Sequence, residues 1–295
     1  MMGVRRGFRV STRPPEYFAE HPKSKPATSR QRCQPKIGHP PLIQAGVLTG
    51  AINPTVAPIQ YIDDSGNIVG LDVDFGDMLA QRLCLKMQFQ RTLFATMIPG
   101  LKDGRFDMID SFMFYTPERA AQVMMIPYGA TNLAILVSKS NQDKIAGLDY
   151  FSGKRFGVEL GTVDANDAKN ASADLVKAGK PPIDVHTFNT YAELLQALAA
   201  GQVDGAFVMT DQAYYYHKQG RDFFRIALTG YDPHREALAF ANRELAEAVT
   251  KVLNEMQADG SYAKLFASYH HCTLPGPFRI ETGPLPAPTC VIPAD

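Results

Sequence analysis

The 295-residue chain contains no tryptophan, only four cysteines and no apolar run long enough to cross a membrane. A membrane-spanning helix needs roughly 20 predominantly apolar residues, so a membrane-spanning protein is not expected. Lys and Arg together number 30, and so do Asp and Glu, which gives a formal net charge of zero. Because the whole chain has no basic excess, its charge does not favour binding to nucleic acid or to an anionic membrane surface.

Charge and proline are concentrated in residues 1–41, which hold nine basic residues, two acidic residues and seven prolines. With so few aliphatic side chains this segment cannot bury enough surface to fold by itself, so we expect a disordered arm. Arg5-Arg6 resembles the twin-arginine export signal, but a polar, proline-rich segment stands where a signal peptide needs an apolar stretch. We therefore expect either a misassigned start site or a leader that was lost upstream.

The four cysteines raise the question of disulfides. Cys33 lies in the arm, Cys84 lies in a helical pattern, and Cys272 and Cys290 lie in a tail, residues 272–295, that holds six prolines. We expect Cys84 to be a small buried side chain with a free thiol. A Cys272–Cys290 disulfide would tie down a tail that has no other visible attachment. It is one of two open possibilities, since disulfides need an oxidising compartment.

The sequence contains no metal or cofactor motif. His270 and His271 stand directly before Cys272, but no Cys-x-x-Cys pair and no spaced pair of histidines completes a set of ligands. We therefore expect both histidines to lie at the surface, and we expect neither a metal nor a cofactor.

Apolar periodicity between the arm and the tail alternates between the helix and the strand pattern. Thr190 and Glu193 have the spacing of a capping box that opens a helix, and Asn242 is placed to cap a longer helix whose inward stripe ends at Met256. Short apolar runs of the buried-strand type separate the helices: 106–109, 133–137, 154–158 and 203–209. This alternation predicts parallel sheets covered by helices, with ligands outside the carboxyl ends of the strands. A chain of this length can form two such lobes.

The segment Thr116-Pro117-Glu118-Arg119 follows the apolar run 106–115. An arginine placed where a strand gives way to a helix offers a planar, two-pronged donor to a carboxylate, and the helix N-terminus adds favourable positive potential. The segment predicts that a small anion is held in a cleft. A surface ion pair of Arg119 is the alternative.

Eight short motifs follow one another over about residues 46–269: Gly66-x-x-x-Gly70-Leu71-Asp72-Val73-Asp74, Ile98-Pro99-Gly100-Leu101, Gly104-Arg105-Phe106-Asp107, Thr116-Pro117-Glu118-Arg119, Pro127-Tyr128, Gly157-Val158-x-x-Gly161-Thr162, Gly201-Gln202-Val203-Asp204 and Asp259-Gly260-Ser261-Tyr262-Ala263-Lys264. Together they resemble the periplasmic polar-amino-acid-binding proteins of ABC importers, the bacterial extracellular solute-binding proteins of family 3. Each motif is weak alone, whereas eight in order cover about three quarters of the chain.

The resemblance implies an α/β chain with the two-lobed periplasmic-binding-protein fold of type II, in which each lobe is a sheet flanked by helices and two strands form the hinge. Carried over, the first lobe covers residues 42–133 and 238–271, the second lobe covers residues 134–237, and residues 272–295 form a proline-rich C-terminal tail. In such proteins the lobes close on a ligand, and a membrane permease recognises the closed shape.

The resemblance also implies how a ligand carboxylate is held. Arg119 stands where the family's arginine forks onto the carboxylate, and Gly161-Thr162 supplies backbone N–H and hydroxyl donors from the opposite lobe. A plain helix N-cap is the alternative role for Thr162. The amine side departs from the family, because Met209 occupies the register of its usual acidic residue. Asp211 could take that place only if the strand ends in a bulge or an early turn.

Apolar residues replace polar or stacking groups near the expected ligand. Phe112 and Phe114 stand at two small polar ligand-facing positions, Val56 stands at the position of an aromatic cover, and Phe94 is placed to form an aromatic wall. Each of the four is either a core residue or part of the cleft. A buried ammonium without a carboxylate partner is costly, so the sequence favours a carboxylate ligand with an apolar body.

The leading hypothesis is a non-enzymatic, monomeric receptor of a periplasmic ABC import system. It binds a small carboxylate-bearing solute, an amino acid or a related organic acid, and delivers it to the permease. The matched motifs contain no nucleophile and base at recognisable spacing. One alternative is an enzyme similar to the periplasmic cyclohexadienyl dehydratases, with Asp164 as the general acid. A second alternative is the sensory input domain of a larger receptor. A nucleic-acid partner is not expected.

Overall fold

The computed structural model of the chain describes residues 33–39 and 41–289. Contacts along the chain separate one unit, Met1–Cys33, from a second unit, Gln34–Asp295. All the strands and helices described below belong to the second unit.

Most of the arm predicted for residues 1–41 lies outside the described residues. In the described part, the side chain of Ile37 is buried. The backbone N–H of Lys36 donates to the carbonyl oxygen of Leu83 at 3.0 Å. This short stretch is therefore packed against the folded chain.

The described residues form twelve strands, several of which are only two residues long. In chain order they are β1 (Val47–Ile52), β2 (Thr55–Val56), β3 (Gln60–Ile62), β4 (Ile68–Val69), β5 (Lys86–Arg91), β6 (Met108–Ile109), β7 (Met124–Ser138), β8 (Arg155–Glu159), β9 (Asp184–Phe188), β10 (Gly205–Met209), β11 (Phe224–Phe240) and β12 (Cys272–Thr273). The four apolar runs that the sequence marked as buried strands overlap β6, β7, β8 and β10.

Eight α-helices lie between these strands: α1 (Leu71–Arg82), α2 (Met97–Lys102), α3 (Pro117–Ala120), α4 (Val163–Lys177), α5 (Tyr191–Ala199), α6 (Thr210–Lys218), α7 (Arg243–Ala258) and α8 (Ser261–Ser268). Thr190 caps α5 by accepting a hydrogen bond from the backbone of Glu193, and Asn242 caps α7 in the same way. Both helix starts therefore lie where their capping residues predicted them. Of the helices in the described ranges, none has both the length and the hydrophobicity that a membrane crossing requires.

One large sheet runs through both lobes in the strand order β5-β1-β6-β11-β7-β10-β8-β9, and β12 pairs with β7 beside this path. On one side β1 pairs in parallel with β5 and β6, and on the other β8 pairs in parallel with β9 and β10. The antiparallel strands β7 and β11 lie between the two parallel groups. Each parallel group with its helices forms one lobe, so the predicted two-lobed α/β fold is confirmed.

The hinge consists of β7 and β11, which are 15 and 17 residues long. One end of β11 pairs with β6 of the first lobe, and the opposite end of β7 pairs with β10 of the second lobe. Their ladder changes register between Leu228 and His234. Such irregularities bend strands and redirect side chains, and this one lies where the chain passes from one lobe to the other.

Apolar faces of the helices cover the sheet in both lobes. The stripe of α7 that runs from Leu245 to Met256 is buried, as its spacing predicted. In the second lobe the rings of Phe151, Phe156 and Phe207 pack edge to face, with centroids 4.6 and 5.0 Å apart. This packing joins β8, β10 and the segment before β8 in one apolar core.

The proline-rich tail is held by hydrogen bonds and by buried side chains. The amide of Asn254 on α7 bonds both the backbone oxygen and the backbone N–H of Phe278, at 2.9 and 2.8 Å. The hydroxyl of Tyr115 donates to the carbonyl oxygen of Gly283 at 2.6 Å, and Leu274 is buried. The tail therefore has attachments that were not visible in the sequence, because side chains distant in sequence satisfy its backbone groups.

The described cysteines are all oxidised. Cys33, Cys84 and Cys272 each take part in a disulfide, so the prediction of a free, buried thiol at Cys84 is wrong. Cys84 follows the end of α1 with a φ of 60° and is only half-buried, because the chain has turned away from the helical face that the pattern implied. Cys290 lies outside the described residues, and its pairing with Cys272 stays a prediction.

Candidate functional site

A cavity lies between the two lobes, and its empty space together with the open solvent at its mouth amounts to about 320 Å³. Its lining comes from both lobes: Asn53, Val56, Gln60, Phe94, Ser111, Phe112, Phe114 and Arg119 from the first, and Glu159, Thr162, Val163, Asp164, Tyr191 and Met209 from the second. Asn53 follows β1, Ser111 follows β6, and Glu159 and Met209 end β8 and β10. The cavity therefore lies at the carboxyl ends of parallel strands, where α/β sheets bind ligands.

Arg119 lies on the short helix α3 and reaches across to the other lobe. Its two terminal nitrogens donate to the carbonyl oxygens of Phe114 at 2.7 Å and of Gly161 at 3.0 Å. Its guanidinium lies 5.4 Å from the centre of the Phe94 ring, and it forms no ion pair with a carboxylate of the described chain. Burial lowers the pKa of Arg119 to about 10, an effect that the charge of Asp164 partly offsets. The guanidinium is thus a partly desolvated cation that lacks a direct counter-ion.

Thr162 begins helix α4 at the opposite wall of the cavity. Its hydroxyl accepts a hydrogen bond from the N–H of Ala165 at 3.2 Å and donates to the carbonyl oxygen of Glu159 at 2.7 Å. The residue is therefore a helix cap as well as part of the lining. Gly161 has a φ of +84°, and a Cβ there would lie 3.0 Å from the backbone of Ala95. A glycine is needed at this point because the two lobes approach each other closely.

Two buried carboxyl groups face the cavity from the second lobe. Oε1 of Glu159 accepts a hydrogen bond from Nδ2 of Asn53 at 2.8 Å, and Oδ2 of Asp164 accepts one from the hydroxyl of Tyr191 at 3.2 Å. Oδ1 of Asp164 has no hydrogen-bond partner among the described residues. Burial raises the pKa of Asp164, and burial together with the charge of Asp164 raises that of Glu159 well above its usual value.

Sequence reasoning named Asp164 only as an enzymatic acid and did not name Glu159. The inference that the cleft lacks an acid near the ligand therefore needs correction, because both carboxyl groups line it. The signal was present in the motif that contains Gly161, since Glu159 stands two residues before this glycine, directly after the apolar run 154–158. A residue at the carboxyl end of a parallel strand is a candidate for ligand contact on topology alone.

Met209 lines the cavity, whereas Asp211 does not. Helix α6 begins at Thr210, directly after β10, and its first turn directs Asp211 towards the hinge. There Oδ2 of Asp211 accepts a hydrogen bond from the hydroxyl of Thr131 at 2.7 Å and lies 3.7 Å from Nδ1 of His271. The carboxylate of Asp211 is thus engaged between the second lobe and the hinge.

His271 is fully buried, so the expectation of a surface histidine is wrong. Its Nε2 lies 2.8 Å from Oε2 of Glu236 on the hinge strand β11. Burial opposes a charged ring, but Glu236 and Asp211 raise the pKa of His271 well above its usual value. Space for this pair depends on Gly129, where a Cβ would lie 2.5 Å from the Glu236 carboxylate. The cluster ties the first lobe, the hinge and the second lobe together by charge.

The four apolar candidates, Val56, Phe94, Phe112 and Phe114, are buried and also line the cavity. These residues therefore belong both to the core and to the lining of the cleft. The ring centroids of Phe112 and Phe114 are 6.1 Å apart. The ring of Phe114 stacks on the imidazole ring of His234 with the centroids 4.4 Å apart. One wall of the cavity is thus an aromatic surface backed by hinge residues.

A family model described as bacterial extracellular solute-binding proteins, family 3, matches residues 48–271 of the chain. The L-cystine-binding protein TcyJ of Escherichia coli (strain K12) is 27% identical over 227 residues, which cover 75% of this chain and 82% of that protein. The match to the family model spans nearly all the strands that form the two lobes.

Solved structures show the same architecture. An ancestral arginine-binding protein bound to arginine superposes with a TM-score of 0.70 at 32% identity, over 76% of this chain and 98% of that one. The ancestral amino acid-binding protein AncCDT-1, a precursor of cyclohexadienyl dehydratase, superposes with a TM-score of 0.64 at 29% identity, over 76% of this chain and 95% of that one. Chemically, the cavity offers one cation, two protonatable carboxyl groups and an aromatic wall.

Proposed function

The chain belongs to the bacterial extracellular solute-binding proteins, family 3, and we propose that it is the periplasmic receptor of an ABC importer that captures a small α-amino acid between its lobes. The observation that carries this proposal is Arg119, a partly desolvated guanidinium without a carboxylate partner in the described cavity. A buried cation without a counter-ion is unfavourable, and a solute carboxylate supplies one with two-pronged geometry.

The amino group of the solute is assigned to the acids of the second lobe. Glu159 and Asp164 both line the cavity, and their raised pKa values favour the protonated form in the absence of a cation. A bound ammonium favours the ionised form, so binding converts one of these carboxyl groups into a carboxylate. Relatives named for L-cystine and arginine support an amino acid over an organic acid without the amine.

The remainder of the solute lies against the aromatic wall. Phe112 and Phe114 offer apolar surface on one side, while Gln60 and Ser111, which are bonded to each other at 3.0 Å, leave a polar patch beside them. This combination suits a side chain with an apolar body and a polar group beside it.

Mass spectrometry of small molecules released when the purified protein is denatured identifies the solute, because closed receptors of this kind retain their ligands. Calorimetric titration of the recovered compound into refolded protein then gives its affinity. Recovery of an α-amino acid whose binding weakens in Arg119→Lys supports the proposal. Recovery of a solute without a carboxylate, bound equally by wild type and variant, contradicts it.

One observation favours an enzymatic second candidate. Asp164 is buried, its Oδ1 has no described hydrogen-bond partner, and its pKa is raised, which is the state required of a general acid. The comparison with AncCDT-1, a precursor of a dehydratase, points the same way, whereas the relative TcyJ is named as a binding protein. Incubation with prephenate and with arogenate decides between the two, since only an enzyme releases product and carbon dioxide.

A further inference from the structure

Three ionisable side chains meet where the hinge strand β11 passes helix α4 of the second lobe. Asp167 comes from α4, and Asp232 and His234 come from β11. One ligand atom of each lies within 4.8 Å of the others, and Nε2 of His234 lies 3.2 Å from Oδ2 of Asp232. Neighbouring ligands of one metal ion lie about 3.0 to 3.5 Å apart when each bond is about 2.0 to 2.2 Å long, so the His234–Asp232 distance fits directly, and small side-chain rotations would bring the whole set, now within 4.8 Å, onto one ion.

From this arrangement we propose that Asp167, Asp232 and His234 form a binding site for a divalent transition-metal ion of the zinc class. Oδ2 of Asp167 is buried without a hydrogen bond of regular geometry among the described residues, and Nε2 of His234 is buried with only its 3.2 Å contact to Oδ2 of Asp232. Buried polar atoms nearly always have a partner. A cation bound between these atoms would interact with both of them at once.

The site is held in place from two sides. The ring of His234 stacks on Phe114 at 4.4 Å with an angle of 20° between the planes, so its orientation is set by packing. Asp232 has a left-handed backbone with a φ of 38° within the irregular part of the hinge ladder. Its side chain is half exposed, which leaves a route by which an ion reaches the two buried atoms.

The ligand types select the class of metal. One imidazole nitrogen with two carboxylate oxygens suits zinc and its neighbours among the transition metals, whereas calcium and magnesium prefer oxygen ligands alone. Three protein ligands leave at least one coordination position open to water. The set therefore describes a site that exchanges its ion rather than one that is closed around it.

A metal at this position adds positive charge next to the solute cavity. Phe114 separates His234 from the cavity, and Asp164 stands one helical turn before Asp167 on α4. The ion also joins the second lobe to the hinge strand. By linkage, metal binding and solute binding then change each other's affinity by the same factor. The site itself is inferred independently of the proposed solute.

Isothermal titration of Zn²⁺ into tag-free, chelator-treated protein tests the site directly. We expect one saturable site of micromolar or tighter affinity in the wild type. His234→Asn and Asp167→Asn should each weaken it at least tenfold, because each removes a ligand. His186→Asn is the matched control, since His186 pairs with Asp184 at 2.9 Å on the edge strand β9 and has no third ligand among the described residues. Equal Zn²⁺ affinity in wild type, His234→Asn and Asp167→Asn, or no saturable binding in the wild type, overturns the proposal.

A spectroscopic readout keeps the test independent of folding defects. Co²⁺ bound at the site should give visible absorption bands, and X-ray absorption of the Zn²⁺ form should show one imidazole among light-atom ligands. If His234→Asn fails to fold, Asp232→Asn is the alternative variant. Asp232→Asn alters a half-exposed side chain and should therefore remain folded. Loss of the Co²⁺ bands in Asp232→Asn supports the site, and bands that persist unchanged in this variant contradict it.

Discussion

The side chain of Asn53 donates a 2.8 Å hydrogen bond to the carboxyl group of Glu159, and this buried contact joins the two lobes at the cavity. The two residues are 106 positions apart in the chain. A second contact between the lobes, from Nε2 of Gln212 to the carbonyl oxygen of Thr55, is 2.9 Å long. The structure therefore represents the closed arrangement of the lobes, with polar groups paired across the cleft.

Arg119→Lys should lower solute affinity at least about tenfold, which corresponds to roughly 1.4 kcal/mol. Lysine keeps the charge, but it loses the planar fork that matches a carboxylate. Isothermal titration with the recovered solute measures the change. Arg105→Lys is the control, because Arg105 pairs with Asp103 on the exposed surface. Unchanged affinity in Arg119→Lys removes this residue from the site.

An amino acid should bind better than the matching acid that lacks the amine, by about 1.5 to 3 kcal/mol, the scale of a charge-assisted hydrogen bond. The reason is that Glu159 and Asp164 line the cavity. A thermal-shift screen of paired compounds measures this preference, which Glu159→Gln or Asp164→Asn should reduce.

Asp211→Asn is the control for that screen, because Asp211 bonds Thr131 outside the cavity lining. This variant should keep the preference for the amine. Two outcomes contradict the assignment of the ammonium to Glu159 and Asp164. One is equal binding of each amino acid and its matching acid without the amine, and the other is a preference that disappears only in Asp211→Asn.

Solute should make the protein more compact, because a ligand that touches both lobes favours their closed arrangement. Small-angle scattering should give a smaller radius of gyration with solute than without it, and the melting temperature should rise with solute concentration. A tightly bound solute that leaves the scattering curve unchanged argues against hinge closure.

Gln212→Ala should weaken solute binding about fivefold, since it removes one hydrogen bond between the lobes of about 1 kcal/mol without changing the cavity lining. Gln122→Ala is the matched control, because the Gln122 amide bonds the backbone of Glu118 within the first lobe. Equal solute affinity of Gln212→Ala and Gln122→Ala in a calorimetric titration would show that the contact between Gln212 and Thr55 does not contribute to closure.

Asp72→Asn should stabilise the protein more at about pH 8 than at about pH 5, by at least about 1 kcal/mol. Burial, with the nearby charge of Glu236, raises the pKa of Asp72 to about 8. In the folded state this carboxyl group keeps its proton up to that pH, whereas in the unfolded chain it loses the proton above about pH 4. The stability that its protonated form contributes is therefore present below pH 4 and is lost as the pH rises to 8.

Chemical denaturation at the two pH values measures this difference for Asp72→Asn. The exposed carboxylate of Asp103 provides the control substitution, Asp103→Asn. A gain in the free energy of unfolding that is equal at both pH values shows that the Asp72 carboxyl group is not the source of the pH dependence.

The sequence by itself determined the local structure and the class of fold. Helix α7 has the cap and the buried stripe that its spacing predicted, because both depend on residues three or four positions apart. The alternation of apolar runs and helices implied parallel sheets, and Arg119 could be placed at a helix start. The strand expected to run up to that helix ends at Ile109, and a loop connects the two. These patterns depend on residues that are close in sequence, so they can be recognised without knowing which other elements they pack against.

Only the tertiary structure decided which distant residues meet. Glu159 becomes part of the cavity because Asn53 approaches it from the other lobe, and His271 becomes a buried ion-pair partner because Glu236 on the hinge strand faces it. Contacts of this kind depend on how the lobes and the hinge strands pack, and they leave no periodic signal in the sequence. The electrostatic state of the site is therefore a property of the packed fold, since burial and distant charges, rather than neighbours in the chain, set it.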